Sequence, residues 1–257
     1  MAPQVRCLCY PPRISADPEP LRLYRYTTPT PIGEFVVLVD AEGAVRLSNW
    51  TDCEEYALGR LRRAYNPREI VVLDAAALTT GGEAGEGADA DVRSFAVRQL
   101  QRFFGYPTVG TNEKSCENGA GSLHQDDNVP IRIRQQELHA LLAAVNVELA
   151  PSTQFQQATW RVLREVHCGA VTTYGALAAR CQRPNASRAV GQAMRENHHC
   201  VFLPCHRVVG ASRALTGFSS GLWRKSWLLW HEQAPLPVQQ LQHAELELRV
   251  SLKRPRK

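Results

Sequence analysis

The chain has 257 residues, of which 44% are hydrophobic and 21% charged, with a formal net charge of +5. That length suits one large domain or two ordinary ones, two being the expectation. No stretch resembles a secretory core or an apolar span of about 18 residues. The opening MAPQVRCLCYPPRISADPEP is broken by prolines and charges, so the protein is expected to be soluble and intracellular, with no membrane partner.

The charge is unevenly spread. Residues 151–257 hold 15 Lys and Arg against 5 Asp and Glu, a net of +10, whereas residues 1–150 carry −5. The basic half is expected to face a polyanion, a solvated basic face being the bland alternative. Eight cysteines, at 7, 9, 53, 116, 168, 181, 200 and 205, form no CxxC pair and no zinc-knuckle spacing. In a reducing compartment each is by default a buried small hydrophobe.

In chain order, residues 22–50 contain short runs rich in Val, Tyr and Thr. FVVLVD and AVRLSNW, separated by AEG, predict a β-hairpin. EEYALGRLRRAY spaces Leu58, Leu61 and Tyr65 as a helix, REIVVLDA reads as a strand, and VRSFAVRQLQRFFG reads as an amphipathic helix stopped by Gly105. Segments 79–91 and 107–130 are poor in large apolar residues and are expected to be mobile insertions. From about Gln135 the character changes. QQELHALLAAV is helical, and STQFQQATWRVLREVHCG places Phe155, Ala158, Val162 and Val166 on one face before a glycine.

The stretch VTTYGALAARCQRPNASRAVGQAMREN predicts a helix from about Tyr174 to Cys181, a turn through Pro184 and a second helix from near Asn185 or Ser187. That is a helix-turn-helix, which is also common in helical cores. Arg183 in the turn and Arg188 in the first turn of the second helix sharpen the case for DNA contact.

In VFLPCHRVVG, Cys205 stands between a proline and a histidine. A nucleophilic cysteine works as a thiolate and needs a nearby cation, base or dipole. His206 is adjacent, but neighbours on an extended segment point to opposite faces, so a histidine base would act through a tight turn or a bridging water. Asn197 is placed to pin such a turn. The next carboxylate after Cys205 is Glu232, which spacing alone reads as a solvated helix end.

These residues together strongly resemble the alkylguanine-DNA alkyltransferases, the methylated-DNA-protein-cysteine methyltransferases. PCHRV at 204–208 is similar to that family's active-site signature, and TYGALA, RAVGQAM, REN, TGFSSGL and KSWLLWHE match in order and spacing across roughly 152–233. TPTPIGEFVVLVDAEGAV resembles the opening hairpin of the family's α/β domain more loosely.

The resemblance implies an α+β protein. A mixed α/β, ribonuclease H-like domain at 22–134 precedes a helical alkyltransferase domain at 135–235 carrying the helix-turn-helix, with an N-terminal extension at 1–21 and a tail at 236–257. It further implies single-turnover transfer of a methyl or other alkyl group from oxygen-6 of guanine, and also oxygen-4 of thymine, to Cys205. His206 would take the thiol proton through a water, Glu232 would hold the histidine, overturning the solvated reading, and Asn197 would brace the turn. Tyr174 would contact DNA and donate a proton toward the base. Val208, Phe218 and Ser219 would line the base pocket, and Arg188 would replace the extruded nucleotide. Gly175, Arg183 and Ala211 complete the implied DNA contacts, which would lie in the minor groove of double-stranded DNA read by a monomer.

Three departures accompany the match. Ser226 stands where the family often has Glu, and Phe218 where many members have Tyr. Asp40 and Val45 occupy hairpin positions that some members use for a structural zinc, so no metal and no cofactor are expected. The ending KRPRK reads as a nuclear address, should the source be eukaryotic, or as a phosphate-binding tail. Alternatives of other classes are a non-catalytic alkyltransferase-like lesion-binding protein, which would lack the acceptor cysteine, a transcription regulator and a Cys-His hydrolase.

Overall fold

A computed structural model describes residues 19–75, 88–105 and 131–237. The expected insertion at 107–130, most of the N-terminal extension and nearly all of the tail lie outside the described residues. Of the other expected insertion, residues 88–91 are helical rather than loop, because Ala88–Phe103 forms one helix.

The chain opens with three strands, β1 (Leu21–Thr28), β2 (Phe35–Val39) and β3 (Val45–Trp50). Helix α1 (Glu54–Tyr65) then leads to β4 (Ile70–Asp74), so the sheet order is β3-β2-β1-β4, antiparallel except where β4 lies parallel to β1. The predicted hairpin is β2–β3. Its turn is drawn tight by Asp40, whose carboxylate accepts from the Ala44 amide at 2.8 Å and from Arg46 Nε at 2.7 Å. Gly43 takes a φ of +78° there, and a Cβ would lie 2.8 Å from the Val92 carbonyl oxygen, so only glycine fits.

Side chains of β2 alternate between two cores, as the two-residue period of a strand requires. Val36 and Leu38 pack with Ala57 and Leu61 of α1. Phe35, Val37 and Val39 face a larger core that takes in Leu100 and Phe103 of α2 (Ala88–Phe103), Phe104 just past its end, and Leu138 and Leu142 of α3 (Ile131–Ala143). This second core runs on without a break into the basic half, through Trp160 and Leu163 to Cys205, Val208 and Leu228.

Helix α4 (Gln154–Arg164) starts at a capping box in which Thr153 Oγ1 accepts from the Gln156 amide and Gln156 Oε1 accepts from the Thr153 amide, an arrangement that stabilises a helix start by about 1 kcal/mol. Its buried stripe is Thr159, Trp160 and Leu163, while the expected Phe155, Ala158 and Val162 are half-buried. The stripe turns by part of a helical step because Trp160 anchors it: the indole nitrogen donates to the Ala193 carbonyl at 2.9 Å.

Two short helices follow, α5 (Tyr174–Arg180), with Thr173 Oγ1 accepting from the Ala176 amide, and α6 (Ser187–Arg195). Helix α7 (Leu222–His231) is the last described element. The two halves are also tied by Arg224 of α7. Its guanidinium lies over the Trp50 ring at 4.8 Å and the Trp223 ring at 4.7 Å, and pairs with Asp52 at 2.9 Å. Among the described residues no helix is long and apolar enough to cross a membrane.

Candidate active site

The segment between α6 and α7 carries the thiol. Asn197 follows the end of α6 directly, and its side-chain amide nitrogen donates to the Leu203 carbonyl at 2.9 Å and to Cys205 Sγ at 3.1 Å. Its carbonyl oxygen accepts from the His199 amide at 2.8 Å. One side chain therefore gathers both ends of the loop 199–205. Within that loop Val201 has a φ of +74°, a left-handed conformation rare for a β-branched residue and held only by its surroundings.

Cys205–Arg207 forms a single 3-10 turn running into a two-residue strand, Val208–Val209, which pairs in parallel with Thr172–Thr173. Successive side chains on such a turn diverge by about 120° instead of lying opposite. Cys205 thus looks into a cavity of about 660 Å³, while His206 and Arg207 point inward toward Glu232, just past α7.

Glu232 is fully buried, at 0% exposure, so the solvated reading from spacing is wrong. Its two oxygens are taken by His206 Nε2 at 2.9 Å, by Arg207 Nε at 2.9 Å and by Arg207 Nη2 at 2.7 Å. Burial alone would raise the Glu232 carboxyl, but the Arg207 guanidinium and the His206 ring overcome it and hold the group well below the usual carboxylate range. A carboxylate at Nε2 fixes the proton on that nitrogen. His206 Nδ1 then carries the lone pair, is buried and has no partner among the described residues. Burial pushes the His206 pKa down, which keeps the ring neutral and able to accept.

No direct hydrogen bond joins Cys205 to His206 among the described residues. The Cys205 thiol is lowered to about 7 by the hydrogen bond with Cys200, against its own burial, with help from Asn197 and from the Lys225 ammonium. Lys225 is itself buried, donating to the Val208 carbonyl at 2.5 Å and the Thr216 carbonyl at 2.7 Å. Burial lowers its pKa to about 8.

Tyr174, Arg188, Phe218 and Ser219 line the same cavity as Cys205. The Tyr174 hydroxyl donates to the Thr216 carbonyl at 3.4 Å, and a Cβ on Gly217, whose φ is +51°, would sit 3.4 Å from it. Phe218 stands edge-on to Trp50, with ring centroids 6.2 Å apart. Val208 is buried behind the cavity rather than lining it, and its carbonyl already accepts from Lys225. Arg188 is exposed in the first turn of α6, and Gly175 lies opposite that turn, its missing Cβ 3.7 Å from Ser187 Oγ. Arg183 is exposed with its guanidinium 5.8 Å from the Phe155 ring, and Ala211 is exposed in the turn closed by the Gly210–Ala214 hydrogen bond. Neither Arg183 nor Ala211 reaches the cavity.

Several site residues were not legible from spacing. Arg207 also donates to the Val166 carbonyl and to Cys168 Sγ, and is 1% exposed. The signal was present, since Glu232 is the only carboxylate between Glu196 and Glu245 and a buried arginine in that stretch needs one. Tyr56 and Met194 add to the cavity wall. Among the described residues no group of three or more His, Cys, Asp or Glu is arranged to hold a metal ion, and Asp40 is engaged in its turn.

Known proteins match this arrangement. Residues 154–234 fit the family model described as 6-O-methylguanine DNA methyltransferase, DNA binding domain. A methylated-DNA--protein-cysteine methyltransferase of Shigella flexneri is 30% identical over 212 residues, covering 82% of this chain and 96% of the relative. One from Haemophilus influenzae is 48% identical over 91 residues, 35% of this chain and 51% of that protein. The fold is similar to that of the Mycobacterium tuberculosis OGT solved in complex with DNA, with a TM-score of 0.50 at 24% identity over 88% of this chain and 98% of that one. With a cysteine turned into a cavity, a histidine and a buried glutamate behind it, and a relative alike along nearly its whole length, the chain belongs to the methylated-DNA-protein-cysteine methyltransferases.

Proposed function

We propose that this protein repairs alkylated DNA by direct reversal, moving an alkyl group from oxygen-6 of guanine to Cys205 in a single turnover. The observation that carries the reading is the Cys205 thiol at the cavity wall, held by Asn197 at 3.1 Å, with the free Nδ1 of His206 and the buried Glu232 behind it.

The base lies within the paired stack, so the nucleotide leaves the duplex at a cost of a few kcal/mol. Helices α5 and α6 act as a helix-turn-helix whose second helix enters the minor groove, with Arg188 filling the gap. The thiol proton passes through a water to His206 Nδ1, and the resulting imidazolium is stabilised by the Glu232 carboxylate. The sulfur attacks the alkyl carbon, a new carbon-sulfur bond forms, and the carbon-oxygen bond breaks with its electron pair going to the guanine. Tyr174 gives a proton toward the ring, making guanine a better leaving group. The product is a thioether, which does not leave under cellular conditions, so Cys205 is not regenerated.

The sheet of residues 21–74, with β4 parallel to β1, fits the ribonuclease H-like reading of the first half. The net of +10 on residues 151–257 favours binding to the duplex that weakens steeply with salt. A lesion-binding protein without transfer is disfavoured by the presence of Cys205. The test is the intact mass after incubation with methylated duplex DNA. A gain of one methyl group on a peptide containing Cys205, lost in Cys205→Ser with DNA affinity retained, is expected; stoichiometric transfer by Cys205→Ser overturns the reading.

A further inference from the structure

A second cavity, of about 360 Å³, lies beside the one that Cys205 looks into, and Tyr56 is the one residue that borders both. Both halves of the chain build it. Arg60 and Arg63 come from α1, Ser152 and Gln156 from the start of α4, and Glu196 and His198 from the segment that follows α6. Arg60 is 7% exposed and His198 6%. Arg60 is also held in place, its Nη2 donating to Glu196 Oε2 at 3.1 Å and its guanidinium 5.7 Å from the centre of the Tyr56 ring. Yet Arg60 Nε, Ser152 Oγ and His198 Nδ1, all buried atoms, have no hydrogen-bond partner among the described residues. A buried donor left unmatched carries the full cost of its lost hydration, and several in one cavity wall mark a place for acceptors. The charge agrees. Arg60 and Arg63 outnumber Glu196 by one, and the first turn of α4, the positive end of its helix, borders the cavity through Gln156. His198 adds no charge at neutral pH, because burial and the neighbouring Arg60 lower its pKa to about 3.

We propose that this cavity is a phosphate site, with Arg60 Nε, the Ser152 hydroxyl and His198 Nδ1 as its donors and the exposed Arg63 as a second positive charge at its rim. A phosphate group presents oxygens on several sides to such a set of donors, whereas a carboxylate presents a single edge. Because Arg60 belongs to the first half of the chain and Ser152 and His198 to the second, a bound phosphate bridges the halves and stabilises the folded state. Glu196 directly precedes Asn197, which donates to Cys205 Sγ, so the site adjoins the brace of the acceptor thiol. Two sources supply such a group: a small phosphorylated solute, or the backbone of a DNA strand passing over Tyr56 from the acceptor cavity. The chemistry is the same in both. The site does not depend on Cys205 accepting an alkyl group.

Inorganic phosphate titrated into the full chain at pH 7.5 and constant ionic strength tests this, read by the ring signals of His198 in NMR spectra and by the melting temperature. Wild type should show one saturable shift at His198 and a melting temperature that rises with phosphate. Ser152→Ala, which leaves the Arg60–Glu196 pair intact, should bind about tenfold more weakly, the loss expected for a hydrogen bond to a charged group. Arg60→Gln should show no saturable shift, and should that variant fail to fold, Ser152→Ala still decides. No saturable shift at His198 in wild type, or Ser152→Ala binding as tightly as wild type, overturns the proposal. Unmodified duplex DNA is then added to the phosphate-bound protein. Release of phosphate assigns the site to a strand of DNA, and retention assigns it to a small solute; both outcomes support a phosphate site. Methyl transfer is read in neither arm, so a failure of the acceptor reading leaves this result standing.

Discussion

Arg207 and Glu232 face each other in a two-pronged contact, Nε to one carboxylate oxygen at 2.9 Å and Nη2 to the other at 2.7 Å, with both side chains shut away from solvent. Breaking a buried pair by removing one partner costs roughly 3–5 kcal/mol, because the remaining charge is stranded. Arg207→Met should therefore lower the melting temperature by on the order of ten degrees. The double variant Arg207→Met, Glu232→Gln should regain part of that loss, as neither charge is left alone. Thermal melts of the three proteins give the answer, and a single variant melting with wild type would mean that the guanidinium adds nothing to the fold.

The same carboxylate serves His206. Glu232→Gln removes the anion that stabilises the protonated ring, so proton uptake from Cys205 becomes harder. The rising limb of the transfer rate, which follows deprotonation of a thiol with a pKa of about 7, should move to higher pH. The rate near neutrality should fall by about a hundredfold, the lower end of what a positioned base contributes. Single-turnover rates across the pH range test this, and an unshifted profile would leave Glu232 a structural role only.

Arg188 is exposed at the cavity rim in the first turn of α6. If its planar guanidinium stacks in the gap left by a flipped guanine, a lysine ammonium cannot replace it. Both Arg188→Lys and Arg188→Ala should then slow transfer from duplex DNA by about ten- to a hundredfold, equivalent to ~1–3 kcal/mol, while transfer from free alkylated guanine base is little changed. Equal losses on the two substrates would point to a damaged pocket, and a mild Arg188→Lys with an even loss of binding to a simple phosphate contact.

Acid should weaken the fold through its buried histidines. Burial lowers the pKa of His198 to about 3 and places His199 well below its ordinary value. Both are neutral in the folded state at a pH where the unfolded chain has taken up protons, so stability present above about pH 6.5 is lost as pH falls below it. At pH 5.5 each costs about 1.4 kcal/mol, so the two together remove ~3 kcal/mol. Urea melts at pH 7.5 and 5.5 measure the difference, to which the buried His206 and His231 also contribute, and His198→Asn should reduce it by about 1.4 kcal/mol.

The sequence made some of this plain and hid the rest for physical reasons. The bounds of α1 follow EEYALGRLRRAY residue for residue, because an exposed helix on a sheet declares its spacing. Strand β2 was legible as a strand, but only the structure shows that its alternate residues feed two cores. Cys205 and His206 were marked by their motif. Glu232 was misread from spacing because its burial depends on Arg207 and His206, which reach it from 25 and 26 residues away.

The loop that carries the thiol also completes the sheet. On the outer side of β3, the Val45 amide donates to the Asn146 carbonyl and its carbonyl accepts from the Glu148 amide; three residues on, Ser48 makes the same exchange with His198 and Cys200. The outer strand of the first half thus has no open row of donors and acceptors along Val45–Ser48, because the second half occupies it. A fragment ending before residue 145 would present that row, flanked by Val45 and Leu47, to any other chain, and should self-associate through strand addition. The reactive loop is in this sense the guard of the sheet's margin: its position is set by main-chain bonds that also keep the first half from seeking a foreign strand.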